Sequence, residues 1–147
     1  MPRSTLLAAL LAAGLLAGCG PVVMLPGGEL SGTVREIPDS WAFTDDVDTV
    51  QIETRPDDPY SVNIWCVRVG DALFVGGSRE STWTRNVAAN PNVRLRIGET
   101  LYLLRAVEST SDEDAEGFLA ATAAKYDREI DPALRAEAVL FRLTPRS

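Results

Sequence analysis

From Tyr60 to Val75 the chain reads as two extended segments joined by Gly70-Asp71. A period of two along Tyr60–Val69 sets Asn63, Trp65, Val67 and Val69 on one face. It sets Val62, Ile64, Cys66 and Arg68 on the other. Two such segments separated by a two-residue Gly-Asp turn predict an antiparallel hairpin into Ala72–Val75. The same signature recurs nearby. Val93–Ile97 alternates with Arg94 and Arg96 outward, and Gly98-Glu99 turns the chain into Leu101–Val107. Leu30–Ile37, Thr49–Thr54 and Ala138–Leu143 add further strands. Arg55–Pro59 reads as a turn and Pro38–Asp48 as a turn-rich connection whose Trp41 and Phe43 plug one end of the fold or line a pocket mouth. Helical pattern is confined to Thr82–Ala89, stopped by Asn90-Pro91, to the stretch from the Ser111 cap to about Tyr126, and to a turn from Asp131-Pro132. About seven short strands with few helices favour a mainly β sandwich or barrel over a parallel α/β sheet.

Composition removes several chemistries. The 147 residues include no histidine, which excludes a Ser-His-Asp triad, a Cys-His dyad, histidine-ligated haem and a histidine-based zinc site. No metal site is expected. The formal net charge is −7, and an acidic domain repels nucleic acid, so no nucleic-acid partner is expected. The acidic clusters at Asp57-Asp58 and Glu108–Glu116 read as solvated surface. Cys66, mid-strand beside Trp65, reads as a small packed residue.

At the N-terminus Arg3 precedes an apolar or small run from Leu6 to Gly18, of signal-peptide length and shorter than the roughly 20 apolar residues of a membrane span. The run ends Leu16-Ala17-Gly18-Cys19, which resembles the bacterial lipoprotein lipobox; an ordinary signal peptide with a chance cysteine is the other reading. The resemblance implies a signal peptide at 1–18, an acylated Cys19 as the new N-terminus, a lipidated tether at 19–29 and a folded domain at 30–147. Its partner would be the lipid bilayer, reached through the acyl chains. Gly20 in place of Asp implies the outer membrane, facing the periplasm, if the cell is Gram-negative. With Cys19 acylated, Cys66 is the one remaining thiol and no disulfide can form within the domain.

The stretch Asn63–Val107 carries a second resemblance. Gly70-Asp71, Gly76–Ser78, Trp83, Arg85-Asn86, Ala89-Asn90-Pro91, Val93–Ile97 and Tyr102–Val107 follow one another as strand, turn, strand, small-residue loop, short helix, strand, turn and strand. This pattern resembles the flavin-reductase-like split β-barrel group, above all the deazaflavin-dependent nitroreductase type within the pyridoxamine-phosphate-oxidase superfamily. The resemblance implies a split β-barrel of six to seven antiparallel strands, a homodimer, and FMN or F420 as cofactor. It implies an oxidoreductase that passes hydride to a small substrate in the cell envelope. On the matching positions Ser78 and Arg79 would face the cofactor phosphate, Trp83 would pack beside the cofactor or seal the helix to the barrel, and Arg85 and Asn86 would line the same edge. Arg is suited to bidentate phosphate contact. No residue stands out as catalytic acid or base; Tyr60 and Tyr102 are the candidates. Where relatives carry a Gly-Arg/Lys-x-Ser-Gly-like stretch, this chain has Arg55-Pro-Asp-Asp-Pro-Tyr60, whose Asp57 and Asp58 repel phosphate. The alternative is a cofactor-free barrel lipoprotein that binds a ligand or a protein.

Overall fold

The computed structural model describes residues 26–147. The expected signal peptide, Cys19 and most of the tether lie outside the described residues. The strands are β1 (Thr33–Val34), β2 (Val50–Thr54), β3 (Tyr60–Ile64), β4 (Val67–Val69), β5 (Ala72–Ser78), β6 (Asn92–Ile97), β7 (Thr100–Glu108) and β8 (Ala138–Pro145). Helix α1 (Thr82–Ala89) follows β5 and α2 (Asp112–Tyr126) follows β7, with single turns of tighter helix at Ala42–Asp46 and Pro132–Ala136. The strands hydrogen-bond in the order β3-β2-β6-β7-β8-β5-β4, all antiparallel, while β1 runs parallel to the start of β7. This is the expected mainly β barrel, with eight strands where six to seven were expected.

The two ends of that path, β3 and β4, are neighbours in sequence, separated by Trp65 and Cys66 alone. A sheet whose two edges are joined by so short a link must curl until they meet. The single strand expected over Tyr60–Val69 is therefore two strands. β3 pairs with β2, and β4 pairs with β5. Alternation fails at the break: Cys66 and Val67 are both buried, and Trp65 turns out towards solvent.

A broken strand leaves backbone groups without ladder partners. The C-terminal end of α2 supplies them. Lys125 Nζ donates to Cys66 O at 2.7 Å and to Thr44 O at 2.8 Å. The Tyr126 hydroxyl lies 2.8 Å from Asp48 O and 3.1 Å from Cys66 O. Its ring stacks on Trp65 with centroids 4.3 Å apart and planes 11° from parallel. Burial pushes the Tyr126 hydroxyl up to about 12 and raises the Cys66 thiol, so both stay protonated at neutral pH.

The barrel interior is filled by Ile52, Leu73, Val75, Leu95 and Leu104, each fully buried. Trp41 is buried in the core, edge-on to Tyr102 at 5.1 Å, and its neighbour Phe43 is exposed. The hairpin turn at Gly70 has φ 60°, a conformation that L side chains seldom adopt. The strand expected over Leu30–Ile37 shrinks to Thr33–Val34. What holds this entry segment is polar. Gly27 and Ser61 exchange backbone hydrogen bonds at 2.8 and 2.9 Å. Buried Glu53 accepts from Leu30 N at 2.6 Å and from Arg94 at 2.7 and 2.8 Å.

Two outcomes follow. Lys125→Met removes the charged donor shared by the Cys66 and Thr44 carbonyls, leaving them the Tyr126 hydroxyl and the Val47 N–H, and should cost about 1.5–3 kcal/mol in urea denaturation. Burial alone would raise the Glu53 carboxyl, but Arg94 and the Leu30 N–H hold it below its ordinary value of 4.5. Its stabilising share is full above that value and is lost as pH falls through the lower folded value. Acid titration of stability should therefore steepen below the ordinary carboxylate range, and Glu53→Gln should flatten it.

Candidate functional site

Where a loop was expected at Gly76–Ser78, β5 continues and pairs with Ala138, Val139 and Leu140 of β8. The lack of side chains here serves packing. A Cβ on Gly77 would lie 2.7 Å from the Trp83 ring, and one on Gly76 would lie 3.1 Å from Phe118. α1 therefore beds its tryptophan onto the bare strand, where Trp83 also meets Phe141 at 5.7 Å. The turn from β5 into α1 is wired by hydroxyls: Thr84 Oγ1 donates to Ser78 O at 2.7 Å, as does Ser81 Oγ at 2.9 Å.

Two concavities flank this junction. The larger, about 520 Å³, lies between α2, the Pro132–Ala136 turn and the β5–β8 pair. Its walls are mainly apolar and include Trp65, Phe118, Leu119, Ile130 and Leu134. The smaller, about 400 Å³, runs along α1 and the end of β7 and carries Arg79, Arg85 and Arg105 over a floor that includes Val87 and Phe141. Arg79 and Val139 line both, so the two adjoin.

The expected site residues divide between contact and support. Ser78 ends β5, exposed, and lines the larger cavity; Arg79 lines both cavities and Arg85 the smaller. Trp83 is 7% exposed and belongs to the core. Asn86 Nδ2 donates to Thr54 Oγ1 at 3.0 Å and fastens α1 to β2. Neither Trp83 nor Asn86 lines either of these two cavities. The two tyrosines singled out as acid or base candidates lie elsewhere too: Tyr102 is buried against Trp41, and Tyr60 lies beneath the Arg55 guanidinium. Arg55 itself is held by Asp58 at 3.1 Å.

Sequence reasoning missed Arg105, Glu108 and the apolar wall given by α2. Arg105 and Val107 are both exposed on β7, and that outward alternation was the available signal. Glu108 accepts from Arg79 at 2.7 Å. In a chain of net charge −7, a groove with three arginines and one glutamate is a local reversal of sign. The groups whose proton affinity shifts serve structure. Arg68 beside Asp45, Arg94 beside Glu53 and Ser109 beside Asp114 hold those carboxyls low, while burial raises Cys66 and Tyr126. None of these five lines either cavity. The described residues hold no cluster of metal-ligating side chains. The site can therefore bind a group with an apolar body and an anionic end.

The model of the F420H(2)-dependent quinone reductase family matches residues 58–131, half of the chain. No curated protein matches it in sequence. Solved structures share its fold at low identity. A pyridoxamine 5'-phosphate oxidase-like protein of Listeria innocua is 16% identical with a TM-score of 0.58, over 72% of this chain and 90% of that one. An F420 reductase is 20% identical with a TM-score of 0.53, over 76% and 97%. An FAD-binding protein of Mesorhizobium loti is 16% identical with a TM-score of 0.52, over 72% and 87%. The barrel is thus the split β-barrel of these proteins.

Proposed function

The chain belongs to the F420H(2)-dependent quinone reductase family, and from that membership we propose that it is a reductase using a bound deazaflavin or flavin, F420 ahead of FMN. When bound, such a cofactor supplies the hydride, so a fold without histidine loses nothing essential. The observation that carries the reading is the meeting of an apolar cavity and an arginine groove at Arg79. A planar ring fits the larger space, whose volume lies within the usual ligand range. Phe118 and Leu119 of α2 and the bare backbone of Gly76-Gly77 wall it and keep water out. Arg79, Arg85 and Arg105 take the anionic tail. Trp83 and Asn86 hold α1, and with it Arg85, in place. The hydride acceptor is a small molecule, and the family description points to a quinone.

We further propose that Cys19 anchors the chain in the cell envelope, in the outer membrane of a Gram-negative cell. The lipobox-like sequence supports this, and Gly27 is tied to Ser61, so the eight-residue step from Cys19 spans at most about 28 Å. The barrel would then lie beside the bilayer, where apolar quinones dissolve.

Fluorescence titration of the full chain should show micromolar uptake of F420 or FMN, weakened about tenfold or more in Arg79→Ala/Arg85→Ala. Uptake of neither would end the reductase reading and favour the cofactor-free binding module. Cys19→Ser should move the protein from the membrane fraction to the soluble one; retention in the membrane would remove the anchor.

A further inference from the structure

Among the described residues, Glu108 is the one carboxylate lining the arginine groove. Its partner is Arg79. Arg79 N donates to Glu137 O at 2.9 Å, and Glu108 pairs with Phe141 across β8, so both side chains spring from backbone held by the start of that strand. The contact between them is a single hydrogen bond, Arg79 Nη2 to Glu108 Oε1 at 2.7 Å. Arg79 has five N–H donors, and no other acceptor in the described residues takes one from its side chain. Arg85 and Arg105 have no carboxylate partner there at all. Both ends of the pair are about half exposed, at 52% and 42%, so it is readily exchanged.

An ion pair in this place has two effects on an entering anion. It ties Arg79 to the groove, which spares the ligand part of the cost of ordering that side chain. It also sets a negative charge beside the position that a phosphoryl oxygen would take. Swinging aside costs Glu108 little, because its side chain already faces solvent. Arg79, freed, can then offer its fork to the ligand.

Resting on the reading of the groove as the seat of the cofactor's anionic end, we propose that Glu108 is a built-in competitor for that seat. It pairs with Arg79, is displaced by a phosphoryl group, and so sets how tightly the groove holds phosphoryl ligands. A purely structural Glu108 has the opposite consequence: without it Arg79 would wander, and anions would bind more weakly.

The sign of one titration separates the two. The probe is inorganic pyrophosphate, added to the full chain in a calorimeter, with circular dichroism to check that each variant folds. Glu108→Gln should tighten pyrophosphate roughly two- to five-fold, the range set by the worth of an exposed pair, and the gain should shrink as salt rises. Glu80→Gln makes the same change of net charge next to Arg79 in sequence but outside the groove, and should leave affinity unchanged. Unchanged or weaker binding in Glu108→Gln, an equal gain in Glu80→Gln, or no pyrophosphate binding in any protein would each overturn the proposal. A gain in pyrophosphate binding without uptake of F420 or FMN would overturn the reductase reading and leave the role of Glu108 standing. Normal uptake without the gain would do the reverse.

Discussion

The barrel depends on one carbonyl. Where the chain steps from β3 to β4 at Trp65-Cys66, the sheet must pass from one edge to the other, and the Cys66 carbonyl falls outside both ladders. Lys125 fills that vacancy, with the Tyr126 hydroxyl beside it and the Trp65 ring stacked on the Tyr126 ring. An unsatisfied buried carbonyl costs more than a typical hydrogen bond returns, so these contacts weigh more than their number implies. They also fix α2. With its last turn pinned at the seam, the helix lies across β4, where a Cβ on Gly117 would come within 2.8 Å of Val69. Its Phe118 and Leu119 are then left to wall the larger cavity. The same helix thus both ties the seam and walls the pocket.

The same division of labour holds on the other side of the site. α1 is pressed onto Gly77 by Trp83 and tied to β2 by Asn86. These two residues make the groove without lining it. The arginines that line it are exposed and contribute little to stability. The packing of α1 and the charge of the groove thus rest on different side chains. The surrounding acidity sharpens the effect, since it leaves the groove as a local attractor for anions on a surface that otherwise repels them.

Local chemistry was legible in the sequence wherever local chemistry decides. The Gly70 turn, the Asn90-Pro91 stop and the Ser111 cap, whose hydroxyl accepts from Asp114 N at 3.3 Å, all stand where the residue types place them. What escaped was set by distant partners. Tyr60–Val69 has the pattern of one strand, and only the pairing of its halves with β2 and β5 shows that it is two. Gly76–Ser78 has the composition of a loop, yet β8 arrives some sixty residues later to make it strand. The arginine groove gathers residues from the β5–α1 turn, from α1 and from β7. Arg79 and Arg85 were reachable through the family resemblance, whereas Arg105 and Glu108 come to them by β-sheet register alone.

In the proposed reading, two concavities that share Arg79 receive an apolar ring in one and an anionic tail in the other. A crystal structure of the full chain with F420 would test it most directly. The ring should lie between α2 and Gly76-Gly77, with tail oxygens within hydrogen-bond distance of Arg79 and at least one of Arg85 and Arg105. A cofactor seated elsewhere on the barrel, or with its tail away from all three arginines, would contradict it.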